Sequence, residues 1–448
     1  MLRIGLMRLR FDHGTILLEG LDAEWPRVVW DPRVGIHRAP AFRYRALVPR
    51  LGRSDEDQLA PALGRAVAVR APDLRPYQEA AVEAWEVTGQ RGVVVMPPGA
   101  GKTHVALGAI ARHGRSTLVL VPTRPLLGQW IQKLEGFAKQ PVGMLGDGAS
   151  RVEPLTVCTF DSAYARMDRL GADFGLLVVD EVHQLGARLR PEALELSAAP
   201  ARLGLTATAP SDIRVRERLT QLVGPVVSMH TTSGLTGSYL APYRRVPIYV
   251  ELEPAERMRY EQAHALYVAA LEGMCRLGHT PGDLGRLARC TDDGRRGMLG
   301  LTLARRALAM ARAKVETTRA LLRRHAGQRA LIFTADNTAA YALSRELLVP
   351  ALTCEIRRVE REQILQRLRH GSYGAVISAQ VLNEGLDLPD CRVGIILAAS
   401  RGSATEHHQR LGRLLRPAPG KRAVLYELLA HGTLEVEHAR RRVEPAAP

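Results

Sequence analysis

The sequence predicts an α/β protein with two parallel-sheet lobes, and three observations predict it. Short apolar runs at residues 118–121, 155–157, 176–179 and 203–205 alternate with helical or polar stretches, the pattern of buried parallel strands. A second series at 248–250, 330–333, 375–377, 393–397 and 423–426 repeats it after an intervening helical region. Between the apolar run Val93, Val94, Val95 and an apparent helix stands a glycine-rich loop, as expected at the carboxyl edge of a ligand-binding parallel sheet. At about 100–200 residues per domain, 448 residues make roughly two to four domains with ample core. No repeat of about 20–50 residues and no long low-complexity segment is present.

Composition narrows the classes. No run of about 18 apolar residues occurs, and the start Met1-Leu2-Arg3-Ile4-Gly5-Leu6-Met7-Arg8 is too short and too broken by arginine for a signal peptide. A cytoplasmic protein with no membrane partner is expected. Five scattered cysteines (Cys158, Cys275, Cys290, Cys354, Cys391) without a C-x-x-C fit a reducing compartment and argue against a zinc knuckle; a Cys275, His279, Cys290 metal set is disfavoured. The formal net charge of +16 suits a polyanionic partner, nucleic acid first, because each neutralised phosphate releases counterions. A second reading stays open: five of the 62 basic residues are lysine, so the arginine excess also fits coding bias.

The first chemistry-bearing element is Met96-Pro97-Pro98-Gly99-Ala100-Gly101-Lys102-Thr103, which reads as a phosphate-binding loop. Its glycines let backbone N–H groups converge on phosphate oxygens, Lys102 reaches the terminal phosphates, and the Thr103 hydroxyl ligates Mg²⁺. A nucleoside triphosphate, ATP, is the expected ligand. Met96 stands where the G-x-x-x-x-G-K-[ST] pattern has its first glycine. Next, residues 176–179 run straight into Asp180-Glu181-Val182-His183. Acids emerging where a buried strand ends suit Asp180 to hold Mg²⁺, directly or through water, and Glu181 to orient and deprotonate the water attacking the γ-phosphate. His183 is expected to link this site to neighbouring groups.

The remaining pieces follow the order of superfamily 2 helicases, which the chain resembles and in which two RecA-like lobes clasp ATP. Arg75-Pro76-Tyr77-Gln78 resembles the adenine-recognition element, where the Gln78 amide donates to and accepts from the base edge. The segment Val121-Pro122-Thr123-Arg124-Pro125-Leu126-Leu127-Gly128-Gln129-Trp130 resembles motif Ia, whose Thr123 and Arg124 would contact the DNA backbone. Val157-Cys158-Thr159-Phe160-Asp161-Ser162 resembles the next backbone-contacting segment, implicating Thr159 and Asp161, and Leu205-Thr206-Ala207-Thr208 resembles the coupling motif III. In the second lobe Asn383-Glu384-Gly385-Leu386-Asp387-Leu388-Pro389 resembles motif V, and Gln409-Arg410-Leu411-Gly412-Arg413-Leu414-Leu415-Arg416 resembles motif VI. The resemblance puts Gly385, Asp387 and Gln409 at the nucleotide. Arg413 and Arg416, three residues apart, share a helix face and are expected as arginine fingers reaching the terminal phosphates on lobe closure, worth about 10³–10⁵ in rate.

D-E-V-H in motif II, T-A-T in motif III and Gln409 opening motif VI narrow the resemblance to XPB-like helicases of the compact archaeal and bacterial form, over essentially the whole chain. Residues 11–20 and 41–45 resemble that family's damage-recognition domain, 424–429 and 440–442 its ending, and the helical stretch at about 254–324 its thumb-like insertion. The resemblance implies a small N-terminal α+β domain at 1–70, a RecA-like lobe at 71–235, and a second at 236–448 that carries the insertion. It further implies an ATP-driven, nucleoid-associated, monomeric motor that moves along duplex or forked DNA and unwinds it 3′–5′ in repair, with a structure-specific nuclease as a family partner. An RNA-directed motor of the same superfamily and a DNA-binding scaffold with a vestigial ATP site remain as rivals.

Three features are left with two readings each. Leu301, Leu308, Val315 and Leu322 recur every seven residues as one apolar stripe, with Arg305, Arg306, Arg312, Lys314, Arg319, Arg323 and Arg324 on the remaining faces; such a helix either grips a phosphate backbone or packs by one face with the other solvated. The family's Arg-Glu-Asp tripeptide after motif III, implicated in opening the duplex, is here Ser211-Asp212-Ile213, a loss that translocation survives better than strand separation; Arg214, Arg216, Glu217 and Arg218 are nearby substitutes. Phe11, Trp25, Trp30, Phe42 and Tyr44 either stack on distorted bases or fill a small core.

Overall fold

The computed structural model describes residues 7–21, 25–52, 55–187, 189–210, 212–235, 239, 241–379, 391–397 and 422–441, and the chain divides into two compact units, Met1–Leu235 and Thr236–Pro448. The first unit opens with a small sheet of β1 (Arg8–Asp12), β2 (Thr15–Glu19), β3 (Val29–Asp31), β4 (Ile36–Pro40) and β5 (Glu56–Asp57), ordered β3-β4-β2-β1-β5. Its pairings are antiparallel except β1 with β5. The β1–β2 turn is His13-Gly14, both at positive φ, and a Cβ at Gly14 would lie 2.1 Å from Leu196, so glycine lets the turn press onto the neighbouring sheet's domain. Leu9, Ile16, Leu18, Tyr44, Leu47 and Leu59 form a core that also takes in Ala198. The aromatics divide accordingly. Tyr44, Phe11 and Trp25 belong to this core and Phe42 packs on the next one. Trp30 is 51% exposed on an edge strand, beside the His37 ring at 4.9 Å.

The rest of this unit is an eight-stranded sheet of β6 (Arg91–Val95), β7 (Thr117–Val121), β8 (Gly143–Gly146), β9 (Ala149–Arg151), β10 (Leu155–Thr159), β11 (Leu176–Val179), β12 (Ala201–Thr206) and β13 (Val226–Met229), in the order β13-β6-β12-β11-β7-β10-β8-β9. All pairings are parallel except the β8–β9 hairpin, which turns on Asp147-Gly148, both at positive φ. Helices α1 (Pro76–Val87), α2 (Lys102–His113), α3 (Arg124–Glu135), α4 (Phe160–Leu170) and α5 (Ile213–Leu222) cover it. β7, β10, β11 and β12 are buried at every residue, as largely apolar strands are when helices cover both faces. Arg202 of β12 is a fully buried cation with no carboxylate partner among the described residues: its guanidinium donates to the carbonyls of Ser197, Ala199 and Leu222. Arg91 donates to Leu222 and Val223, so two arginines collect the last carbonyls of α5.

The second unit holds β14 (Tyr243–Val250), β15 (Ala330–Phe333), β16 (Ala351–Leu352), β17 (Ala375–Ser378), β18 (Val393–Ile396) and β19 (Ala423–Ala430), ordered β14-β19-β18-β15-β17-β16 with every described pairing parallel. Its helices include α6 (Pro254–Arg276), α7 (Asp292–Ala309), α8 (Arg312–Arg324), α9 (Asn337–Leu347), α10 (Arg358–His370) and α11 (Leu434–Arg441). α6 and α7 pack at backbone distance: a Cβ on Gly297 would lie 2.7 Å from Ala270 Cβ, and one on Gly300 2.8 Å from the Ala263 carbonyl.

The expected single apolar stripe is corrected. The helix breaks at Met310-Ala311, so Leu301 and Leu308 lie on α7 and Val315 and Leu322 on α8. They join three different clusters: Leu301 with Met274, Leu308 with Val250 and Ala430, Val315 and Leu322 against β15 and β17. The basic faces change with them. Lys314 is fully buried and donates to the Leu397 carbonyl and to both Glu435 oxygens at 2.6 and 2.7 Å. Arg306 pairs with Asp336 at 2.8 Å and Arg312 with Glu316 at 3.0 Å.

Candidate functional site

Since β6, β7, β10, β11 and β12 run parallel, they end at one edge: Thr206 pairs with Val95, Val179 with Leu120 and Gly204, and Thr159 with Val121. The phosphate-type loop, Thr123, Thr159, Asp180 and Thr208 each lie at or just past these ends.

The loop connects β6 to α2. Met96 is fully buried and its N–H donates to the Thr206 carbonyl at 2.9 Å, so this residue continues the strand into the core and needs no glycine. Gly99 and Gly101 carry φ of 85° and 82°, and a Cβ on Gly101 would lie 2.4 Å from Gln78 Nε2. Positive φ followed by a helix start turns successive N–H groups toward one point, an anion-binding nest. The Lys102 ammonium donates to the Met96 carbonyl at 3.3 Å, folded back over the loop. Gln78 is held at both ends of its amide: its oxygen accepts from Arg75 N at 3.0 Å, and its nitrogen donates to the Ala100 carbonyl at 2.8 Å. The Tyr77 hydroxyl donates to the same carbonyl at 2.7 Å, and the Tyr77 ring meets His230 edge-on at 5.5 Å.

Asp180 leaves β11 and is buried. Its Oδ1 accepts from Glu181 N at 2.9 Å and its Oδ2 from the Trp130 indole N–H at 2.9 Å. Burial first, and the Glu181 charge second, push its carboxyl up to about 6, against the pull of Lys102 and the Trp130 N–H. Glu181 sits in the left-handed region, φ 50° and ψ 45°, an uncommon conformation for glutamate of the kind that gathers at functional sites. His183 Nδ1 lies 3.3 Å from Glu181 Oε2 and 3.0 Å from Thr206 Oγ1. The Thr206 hydroxyl gives its own proton to the Thr208 carbonyl at 2.8 Å, so Nδ1 is the donor to Thr206 and the ring carries its proton there. Thr208 N returns a hydrogen bond to Thr206 Oγ1 at 3.2 Å. Hydrogen bonds thus link His183, Thr206 and Thr208, and Glu181 lies beside His183, so the acids adjoin the strand end that resembles motif III.

The four residues expected at a nucleic-acid backbone lie on the same edge. Thr123 precedes α3, and its buried hydroxyl has no hydrogen-bond partner among the described residues. Arg124 is exposed and 3.6 Å from Asp147. Thr159 caps α4, accepting from Ser162 N at 3.3 Å, and Asp161 is exposed in that helix's first turn. Asp212 caps α5 through Arg214 N at 2.8 Å, a local role that engages one of its carboxylate oxygens; Arg218 pairs with Glu195. Gly385, Asp387, Gln409, Arg413, Arg416 and Ser211 lie outside the described residues. Among the described residues no three His, Cys, Asp or Glu side chains converge on a metal-type cluster, and no helix is long and apolar enough to cross a membrane. Sequence reasoning did not single out Trp130 or His230; Trp130 stands inside the motif Ia segment, but nothing local marks its partner 50 residues away.

Residues 71–211 match the family described as type III restriction enzyme, res subunit; residues 9–57 match the xeroderma pigmentosum group B helicase damage recognition domain, and 313–418 the helicase conserved C-terminal domain. The DNA 3′–5′ translocase XPB2 of Sulfurisphaera tokodaii is 33% identical over 98% of this chain and 100% of its own length. The putative DNA 3′–5′ helicase Rad25 of Halobacterium salinarum is 30% identical over 83% of this chain and 56% of its own, and the DNA 3′–5′ helicase XPB of Mycobacterium tuberculosis 27% over 92% and 71%. Among solved structures, the Hef helicase domain of Pyrococcus furiosus superimposes with a TM-score of 0.55 at 18% identity, covering 83% of this chain and 98% of that one, a likeness of fold. With domain matches of this kind and a relative similar along its entire length, the chain belongs to the XPB family of superfamily 2 helicases, ATP-dependent motors of DNA.

Proposed function

We propose that this ATP-dependent DNA motor binds ATP at the loop between β6 and α2 and converts hydrolysis into 3′–5′ movement along duplex DNA in repair. The observation that carries it is the polar chain of His183, Thr206 and Thr208 beside a phosphate nest, with Glu181 3.3 Å from His183: the hydrolysing groups adjoin the strand edge that bears the candidate DNA contacts. Lys102 takes the terminal phosphates, Glu181 activates the attacking water, and Arg413 and Arg416 stabilise the departing phosphate. Gln78 and Arg75 recognise adenine after Gln78 exchanges the Ala100 carbonyl for the base edge. Gly385, Asp387 and Gln409 complete the nucleotide contacts. Thr103 and Asp180 would hold Mg²⁺, which when bound neutralises developing phosphate charge; a hydroxyl and a buried, charge-crowded carboxylate are suitable hard oxygen donors.

Thr123, Arg124, Thr159 and Asp161 follow the DNA backbone. Asp212 acting as a helix cap and exposed Ile213 beside it favour translocation over strand separation. The domains are 1–70, 71–235 and 236–448, with an insertion at about 254–324. The motor works as a nucleoid-associated monomer, and a structure-specific nuclease is its partner by family analogy.

Steady-state ATPase with no polymer, duplex DNA, forked DNA, single-stranded DNA and duplex RNA tests this. DNA should stimulate turnover, and Lys102→Ala or Glu181→Gln should abolish it with DNA binding largely intact. Full turnover in either variant would sink the site assignment, and RNA-selective stimulation would sink the substrate.

A further inference from the structure

We infer that Trp130 is a positioning residue for the hydrolytic site, fixing the Asp180 carboxylate and tying it to the helix that starts at Thr123. The inference rests on reading Asp180 as a Mg²⁺ ligand and Thr123 and Arg124 as DNA contacts.

Three observations carry it. The indole N–H donates to Asp180 Oδ2 at 2.9 Å while Glu181 N donates to Oδ1 at 2.9 Å, so the carboxylate is held from both oxygens and cannot rotate without losing a buried hydrogen bond. Each oxygen keeps a lone pair for a cation, and an indole nitrogen, donor only, never competes for it. Trp130 is 2% exposed and Asp180 7%, so the contact is shielded from bulk solvent.

The second observation is a contrast. The chain's other fully buried tryptophan, Trp85, donates to a main-chain carbonyl, Arg202 O at 2.9 Å, which is ordinary core satisfaction. Trp130 donates instead to a side-chain carboxylate at a strand end. The third is placement. Trp130 lies two turns into α3, with Leu127 and Leu134 of the same face fully buried, and Thr123 and Arg124 occupy the helix start. A 12-residue helix moves as one rod, so a backbone contact that shifts its first turn also shifts the indole against Asp180. Motif Ia and the acids are thereby coupled inside one sheet.

Trp130→Phe keeps the buried ring and removes the donor. Binding of a non-hydrolysable ATP analogue without metal should match the parent, whereas the gain in affinity on adding Mn²⁺ should fall about ten- to a hundredfold, as for lost partners of metal ligands. Stimulation of turnover by duplex DNA should fall with it. A Mn²⁺ gain within about twofold of the parent overturns the inference, provided Asp180→Asn has lost that gain. If Asp180→Asn keeps it, the metal-ligand reading itself fails. Should Trp130→Phe not fold, the unmodified chain decides: the Trp130 indole N–H resonance should shift when Mg²⁺ joins the bound analogue, and an unchanged resonance while Mg²⁺ still tightens analogue binding overturns the inference.

Discussion

The two larger sheets use buried polar groups differently. At the carboxyl edge of the eight-stranded sheet, Thr123 Oγ1 apart, the groups engage one another: Trp130 with Asp180, Glu181 with His183, His183 with Thr206, Tyr77 and Gln78 with the phosphate-loop carbonyl of Ala100. In the six-stranded sheet the hydroxyls at and just past the strand ends, Thr334 Oγ1 and Ser378 Oγ, are buried with no hydrogen-bond partner among the described residues. Its charges serve another end: Lys314 of α8 meets Glu435 of α11, and Arg245 of β14 meets Glu427 of β19 at 2.6 Å. One unit wires its polar interior into a site; the other fastens helices and strands together. Buried polar substitutions should therefore break chemistry in the first unit and stability in the second.

The largest effect is expected at the Lys314–Glu435 pair. Glu435→Gln leaves a fully buried ammonium without its counter-charge and should destabilise the second unit by about 3–5 kcal/mol. Lys314→Met should do less, about 1–3 kcal/mol, because Glu435 is partly exposed and still accepts from Ala430 N at 3.1 Å. Lys314→Met with Glu435→Leu should recover much of the loss, since an apolar pair of similar volume removes both desolvated charges. Chemical denaturation followed by hydrogen exchange in each unit measures this; equal losses for the two single variants would show that the charge is not confined as the geometry indicates.

The counterpart in the first unit is Thr206→Val, which preserves the β-branched shape in a fully buried strand and removes one oxygen. His183 Nδ1 and Thr208 N lose their shared acceptor. DNA-stimulated ATP turnover should drop about tenfold, the effect of roughly 1.4 kcal/mol on the barrier, while the unit's unfolding midpoint moves little. A variant that loses stability but keeps DNA stimulation would make the polar chain structural and erase the contrast between the sheets.

Which elements could be read from the sequence follows from their burial. β7, β10, β11 and β12 announce themselves because every residue is buried and most are apolar. β14 shows only its last residues, 248–250: it is an edge strand, and Arg244 and Arg245 break the apolar run of its first half. The break between α7 and α8 was hidden for the opposite reason, since Met310-Ala311 offers neither glycine nor proline and the seven-residue spacing continues across it. Likewise Asp180, Glu181 and the phosphate loop were legible as strand-end motifs, whereas Trp130 was not. Its helix follows β7, and β7 pairs with β11, so strand order alone brings the indole to the carboxylate that leaves β11. Sequence spacing carries no trace of strand order.

A last and smaller difference between the units should appear on acidification. His113 ends the helix that begins at Lys102, where the helix dipole would favour an imidazolium. Burial, and secondarily the Arg115 charge, override that preference and push its pKa from 6.5 down to about 4, with Nδ1 3.0 Å from the Gln90 side-chain oxygen. Between those two values the unfolded chain binds a proton that the folded one refuses, so stability rises with pH. The contribution is complete above about pH 6.5 and is lost progressively as pH falls toward 4. The carboxylates held low in the small N-terminal sheet, such as Asp12, act only at lower pH, which keeps this window clear of them. His113→Gln retains a polar side chain beside Gln90 and removes the titration. Relative to the parent, it should gain stability at pH 5 over pH 7, and hydrogen exchange should place that gain in the eight-stranded sheet, with the six-stranded sheet unchanged. Equal pH responses in parent and variant would assign the acid sensitivity elsewhere and remove pH from the list of properties that tell the two sheets apart.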